Sequence, residues 1–460
     1  MKYHDNRSLR SPFSFASCNL KLFRAGLLFT LAANFVHTGC ESDQMEVWEQ
    51  SGLATPELRA QSREDALVVT STVAPILLIP QGSTVSPEQE LMLREALSNV
   101  RRWYQRELPT KDLKWEPLRI LHGASTAASY LVDNKVWADM PGEIEAAFGW
   151  NPWNSGSTNH VALVIGRDLL GWAGGAGYSE GRGLAIVGME SLVDNAACST
   201  EWWCTQEMWH GTAIHELGHG LTLPHDTDPT SIMNFHGEYK NKHLIPVAID
   251  AVQALPCTGT KGPYPLARWT FDACPSANVS DEASGANPLT LANGASCSPG
   301  LIETSGTFDG INDVAAVGHS GLGATNALTV SAWVKPTKTS GISTIVNKWY
   351  AKDSYGLFIH DGYFEFSIAL PGGTWGMVHT VKAPAPIHQW SDVAGVYSGS
   401  SLNLYVNGQL AATKAVSGTL QSSTRPVTVG NHPSWNAMQG QVDLIEIYDR
   451  ALTRDQIFAY

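Results

Sequence analysis

Hydrophobic positions along the chain follow two different rhythms. Early on, Ala74-Pro75-Ile76-Leu77-Leu78-Ile79 is an unbroken apolar run, the pattern of a strand buried on both faces. Ser86 then precedes Pro87, an N-cap followed by proline at the first helical position. Behind it Leu91, Leu93, Ala96, Leu97, Val100 and Trp103 recur at helical spacing. Residues 113–121 read as a second strand, which makes a β-α-β start. Met140-Pro141-Gly142-Glu143 opens a short helix through Phe148, and residues 160–165 form a further strand. Residues 181–188 read either as an edge strand or as an interior strand with a glycine bulge. The texture changes around 256–263, a stretch rich in Gly, Pro and Thr. Beyond it the strands are short and alternating. Leu402, Leu404 and Val406 share one face, Asn407-Gly408 makes a hairpin turn, and residues 328–334 and 442–447 alternate in the same way. Such strands at short spacing argue for an all-β sandwich.

A chain of 460 residues is too long for one ordinary core. With 43% hydrophobic residues, 42 Gly, 24 Pro and 16 Trp it reads as globular and loop-rich. The formal charge of −13 argues against a nucleic-acid partner, because phosphate binding needs a basic face. The first forty residues carry their own pattern. Lys21 and Arg24 precede the apolar run 25–33, too short to span a bilayer, and the segment ends in Thr38-Gly39-Cys40. That ending resembles a bacterial lipobox, which implies lipidation of Cys40, although His37 stands where leucine is usual. An ordinary secretory signal is the alternative. Either way the chain is expected to be exported, as a cell-envelope lipoprotein or a secreted protein, with membrane attachment only through a lipid anchor. Export permits disulfides, and the expected pairs are Cys198 with Cys204 and Cys274 with Cys297. The expected segments are a signal over 1–40, a tether or short pro-segment over 41–66, domains over 67–256 and 265–460, and a linker over 257–264.

The densest chemistry lies between His215 and Met233, HELGHGLTLPHDTDPTSIM. Residues four apart share a helix face, so His215 and His219 can reach one ion, and Glu216 beside them can take a proton from an attacking water. His225 follows Pro224, which would end the helix and turn the chain back. With Met233 eight residues later, the stretch resembles the metzincin clan of zinc endopeptidases, with matrixin-like spacing and an Asp226 like that of the adamalysin branch. The resemblance implies one catalytic Zn2+ held by His215, His219 and His225, Glu216 as general base, and Met233 as the Met-turn residue. It also implies a substrate peptide paired to the edge strand bordering the cleft, for which 181–188 is the candidate, and a side-chain pocket lined by residues 234–239. There are two departures. Thr222 stands where the family has a glycine, so either Thr222 tolerates strain or Gly220 and Pro224 make the turn. Phe235 stands where some members carry a metal-approaching tyrosine and cannot ligate. His210, His236 and His243 are poor ligand candidates.

The second half resembles the laminin-G-like, concanavalin-A-like jelly-roll family. The resemblance rests on Ala267-Arg268-Trp269-Thr270-Phe271-Asp272, Phe308-Asp309-Gly310, Ser331-Ala332-Trp333-Val334, Leu404-Tyr405-Val406-Asn407-Gly408 and Gly440-Gln441-Val442-Asp443. It implies a glycan or protein-surface ligand and, in some members, Ca2+, for which Asp309, Asp313 and Asp443 are candidate oxygen ligands; turn-capping carboxylates are the alternative. The expected fold class is thus multidomain, an α+β metzincin-type catalytic domain followed by an all-β jelly-roll sandwich. The expected function is hydrolysis of peptide bonds in extracellular or surface proteins. The rival is a surface adhesin or carbohydrate-binding protein with a silent, zinc-stabilised scaffold.

Overall fold

The apolar run of the first half becomes β1 (Thr70–Gln81), paired in parallel on one side with β3 (Arg119–Thr126) and on the other with β4 (Thr158–Gly166). The computed structural model describes residues 70–156, 158–193, 204–262, 264–272, 278–319, 321–348, 354–372, 377–432 and 437–457. Cys40, the signal and the tether lie outside them. All described residues belong to one compact unit. Between β1 and β3 run α1 (Pro87–Glu107) and β2 (Lys111–Leu113); α2 (Ala127–Leu131) and α3 (Lys135–Phe148) follow β3. After β4 come β5 (Ala173–Tyr178), β6 (Arg182–Gly188), α4 (Glu190–Val193), α5 (Gln206–Gly220), α6 (Pro246–Gln253) and β7 (Thr258–Thr260).

The sheet order is β3-β1-β4-β6-β5, parallel except for β5, which runs antiparallel to β6. Strand period sorts the core into two layers. Val73, Leu77, Val161 and Leu163 face one cluster with α1 and α5, while Ile76, Leu78, Ala162 and Val164 face another with α2 and α3. Helix α1 starts on a capping box: Gln89 N–H donates to Ser86 Oγ (3.2 Å), and Ser86 N–H donates to Gln89 Oε1 (3.0 Å).

Three sequence expectations are corrected. Residues 113–121 are not one strand: β2 leaves the main sheet to pair with β7, and β3 begins at Arg119. Pro117 cannot donate to a ladder, and Glu116 beside it is engaged by Thr72 Oγ1 at 2.6 Å. Helix α3 starts at Lys135, before Met140, because Asp133 and Asn134 at φ 52° and 57° break the chain ahead of it, and Pro141 is carried inside the helix. The edge strand is not 181–188. β6 is interior and pairs with both neighbours without a bulge, and β5 forms the edge. Ala173-Gly174-Gly175-Ala176-Gly177 carries no apolar alternation, so pattern reading passed over it.

The second half is an all-β sandwich of two eight-stranded sheets, with recorded pairings antiparallel throughout. Trp269, Phe271, Phe308, Tyr355 and Phe366 fill its core. Asn407 and Gly408, at φ 48° and 76°, form the primed turn between Ser401–Val406 and Gln409–Ala415. Strand Leu328–Pro336 sends Leu328, Val330, Ala332 and Val334 into that core, as its alternation predicts. Its other face is buried as well, because α1 lies on it. Leu91 and Met92 of α1 pack against Trp333, Trp390, Leu301 and Leu444. The sandwich also inserts Ile302 into the core of the first half.

Cys204 and Cys297 are both disulfide-bonded; their expected partners, Cys198 and Cys274, lie outside the described residues. Cys257 is a buried free thiol. Among the described residues no helix is long and apolar enough to cross a membrane. Since Trp333 is 5% exposed between α1 and the sandwich, Trp333→Ala is expected to cost about 3–5 kcal/mol in urea unfolding. Tyr363→Ala, on an exposed surface, is expected to stay within about 0.5 kcal/mol of the parent.

Candidate metal centre

Helix α5 is N-capped by Thr205, whose hydroxyl accepts from Met208 N–H at 3.1 Å. Trp209, Ala213, Ile214 and Leu217 bury it in the first-half core, so that His215 is only 1% exposed. His215 Nδ1–H donates to Ile232 O and His219 Nδ1–H to Leu223 O, each at 2.7 Å. A carbonyl only accepts, so both rings carry their proton on Nδ1 and present a bare lone pair at Nε2. These two Nε2 atoms stand 3.1 Å apart, and His225 Nε2 lies 3.1 Å from the first and 3.2 Å from the second. One proton on His225 could be shared with only one neighbour, whereas a divalent cation would meet all three lone pairs. A tetrahedral ion about 2.0–2.1 Å from each nitrogen spaces its ligands about 3.3 Å apart, so the donor set fits zinc. Among the described residues this is the group of three metal-type side chains whose ligand atoms converge. Burial pushes His215 down to about 3 and Glu216 up to about 8.

The way out of the helix settles the Thr222 question. Thr222 N–H donates to His219 O and Leu223 N–H to Gly218 O, both at 2.9 Å, with Thr222 itself at φ 74°. The β-branched residue takes the left-handed conformation, and Gly220 remains in the helix. Position 222 carries no glycine, but glycines serve another purpose nearby. A Cβ at Gly175 would meet Glu216 O, and one at Gly177 or Gly183 would meet Gly220 O. β5 and β6 can press their backbone onto the histidine-bearing end of α5 only because these residues have no side chain. That spacing of glycines was the available signal for the edge strand.

Met233 is buried beneath α5, where a Cβ on Gly218 would come within 2.5 Å of its sulfur. The Met233 turn is tied to the residue after His225: Met233 N–H donates to Ser231 Oγ (3.1 Å), and the Ser231 hydroxyl donates to Asp226 Oδ2 (2.6 Å). Phe235 is 44% exposed and stacks on His236, with ring centroids 5.5 Å apart. The His236 ring in turn lies 5.3 Å from that of His215, so a residue set aside as a ligand still borders the centre. His210 is fully buried and engaged elsewhere, with Nδ1–H on Gln206 O at 2.8 Å and Nε2 3.3 Å from Asn99 Nδ2. His243 faces Glu107 at 3.3 Å.

The three candidate calcium ligands are not brought together. Asp309 and Asp313 cap one turn: Asp309 N–H donates to Asp313 Oδ2, and Ile311 N–H donates to Asp309 Oδ1, each at 2.8 Å. Asp443 is buried apart from them and accepts from Leu444 N–H at 2.7 Å. Turn capping explains the first two.

Residues 309–458 match the family model described as the concanavalin A-like lectin/glucanases superfamily, and the C-terminal region is a laminin-G/concanavalin A-like jelly roll. Among solved structures the chain is similar to domain 4 of AbnA, a GH43 extracellular arabinanase from Geobacillus stearothermophilus, in complex with arabinotriose. That match has 17% identity and a TM-score of 0.33, and covers 42% of this chain and 96% of that one. It is also similar to the binding domain of Paraclostridial Mosquitocidal Protein 1, at 14% identity and a TM-score of 0.36 over 43% of this chain and 51% of that one. The botulinum neurotoxin serotype D binding domain matches at 13% and 0.36 over 43% and 50%. The chain spans about half the length of these two toxin domains. No curated protein matches it.

Two measurements check the site. Thr222→Gly removes about 1–2 kcal/mol of left-handed strain and adds about 0.5–1 kcal/mol of unfolded-chain freedom. It is therefore expected to raise the melting midpoint by roughly 2 °C without altering metal content. Zinc at about a hundredfold its dissociation constant is expected to add about 2.7 kcal/mol of stability to the parent, and none to His225→Ala.

Proposed function

We propose that the chain is an exported zinc-dependent endopeptidase of the metzincin type, with its jelly roll serving as an accessory domain for a glycan or protein ligand. The observation that carries this reading is the convergence of His215, His219 and His225 through Nε2, with Glu216 next to the first of them on the same buried helix. When bound, the ion supplies Lewis acidity, which polarises a carbonyl and makes water a stronger acid near neutral pH. Glu216 takes the proton of the attacking water and delivers it to the amide nitrogen as the C–N bond breaks. The Nδ1–H bonds to Ile232 and Leu223 hold two imidazoles in the required tautomer and orientation throughout.

Strand β5 supports the same reading. Among the described residues it pairs with β6 alone, so its outer edge offers backbone donors and acceptors to an extended peptide. The Gly175 contact sets that edge directly against the turn bearing Glu216 and His219. The rival reading is an adhesin or carbohydrate-binding protein on a catalytically silent scaffold. What favours it is that the family match falls on the jelly roll.

Parent and Glu216→Ala, both loaded with zinc, are to be incubated with a proteome-derived peptide library. Cleavage by the parent that is abolished by chelator and reduced at least about 10²-fold in Glu216→Ala supports the endopeptidase. Undetectable cleavage by zinc-loaded parent, together with retention on a glycan array, supports the adhesin.

A further inference from the structure

We infer that Glu303, carried by the jelly roll, is a positioning residue for the cleft wall formed by residues 235–240, so that the jelly roll completes the peptidase site. The inference rests on the endopeptidase reading.

The wall starts beside the metal ligands and ends on the jelly roll. At its near end is His236, whose ring is 5.3 Å from that of His215. The His236 carbonyl packs so closely on α5 that a Cβ at Gly211 would collide with it. In the middle, the Tyr239 ring stacks on His210 with centroids 5.2 Å apart, and Tyr239 O accepts from Trp103 Nε1–H at 3.0 Å. At the far end, Lys240 Nζ reaches Glu303 Oε2 at 2.5 Å and Asp272 Oδ2 at 3.4 Å. Glu303 also grips the catalytic helix itself, since its backbone N–H donates to Oε1 of Gln206, the first residue of α5, at 2.6 Å. Ile302 anchors this loop in the first-half core. One jelly-roll residue therefore joins the start of α5 to the end of the wall.

The charges here are asymmetric. Among the described residues Glu303 Oε1 is buried without a hydrogen-bond partner. His210 Nδ1, 3.7 Å from this oxygen, already donates to Gln206 O, and burial keeps that ring neutral, with its pKa down at about 4. Among the described residues Lys240 is thus the cation paired with the Glu303 carboxylate. Removing Lys240 strands Glu303 and Asp272 as partly buried carboxylates, whereas neutralising Glu303 leaves Lys240 with Asp272. For a partly buried pair, removal from the side that leaves carboxylates unpaired is the costlier direction.

The test uses the full zinc-loaded chain and a peptide that the parent cleaves. kcat and KM are measured for Lys240→Met, Glu303→Gln, the double variant and Lys240→Arg. Direct binding of the same peptide is measured in the Glu216→Ala background. Lys240→Met is expected to raise KM and weaken direct binding about tenfold, with kcat within about threefold and zinc content unchanged. Glu303→Gln should shift KM less, the double variant should lie closer to the parent than Lys240→Met, and Lys240→Arg should retain the parental KM. KM and binding within about twofold of the parent in both single variants overturn the proposal, as do effects that simply add. If Lys240→Met does not fold, parental KM in Glu303→Gln and in the double variant overturns it. Absence of cleavage by the parent overturns the endopeptidase reading and this proposal together. Cleavage with unaltered KM overturns this proposal alone.

Discussion

Two backbone carbonyls decide what the centre of this protein can do. Ile232 O and Leu223 O each take the Nδ1 proton of a buried imidazole, and so turn the other nitrogen of His215 and His219 into a bare donor aimed at a common point. Both carbonyls belong to the chain after α5, so ring orientation depends on how that chain returns to the helix. Everything around the return is shaped to hold it. Thr222 accepts a left-handed backbone to make the turn, Asp226 and Ser231 tie the Met233 turn to the third histidine, and Gly218 leaves room for the Met233 sulfur.

The same economy of space governs the sheet. Where β5 and β6 meet the ligand-bearing turn, glycines at 175, 177 and 183 let backbone touch backbone. This brings a free strand edge next to the converging histidines, at the cost of the flexibility that glycine adds to the unfolded chain. A strand with side chains at those positions would stand off from the helix and carry the edge away from the centre.

The two halves are not beads on a string. Helix α1 uses Leu93, Ala96, Leu97 and Val100 for its own core, and turns Leu91 and Met92 toward Trp333 and Trp390 of the sandwich. Ile302 crosses in the opposite direction. Both faces of Leu328–Pro336 are consequently buried, although its alternation is that of a strand with one face toward a core.

Local pattern was enough for much of this. The N-cap at Ser86, the buried character of β1, the Asn407-Gly408 turn and the alternation of the sandwich strands depend on neighbours within a few residues, and each could be read directly. So could the histidine spacing, because a helix sets which side chains share a face. What sequence could not determine is set by contacts between segments far apart in the chain. Pattern missed β5 as the edge because glycine carries no hydrophobic signal; its meaning lies in the helix it touches. It left open whether Thr222 or Gly220 made the turn, since strain is tolerated only where surrounding contacts hold it in place. It dismissed His236, which matters through its distance from His215 and not through its place in a motif. It treated the jelly roll as appended, because the pairing of Lys240 with Glu303 joins residues that no local rule connects. Sequence alone determined many of the elements and the spacing of the three histidines; tertiary structure decided the remaining strands and which surfaces the elements share, because close approach, burial and charge pairing exist only once distant segments have met.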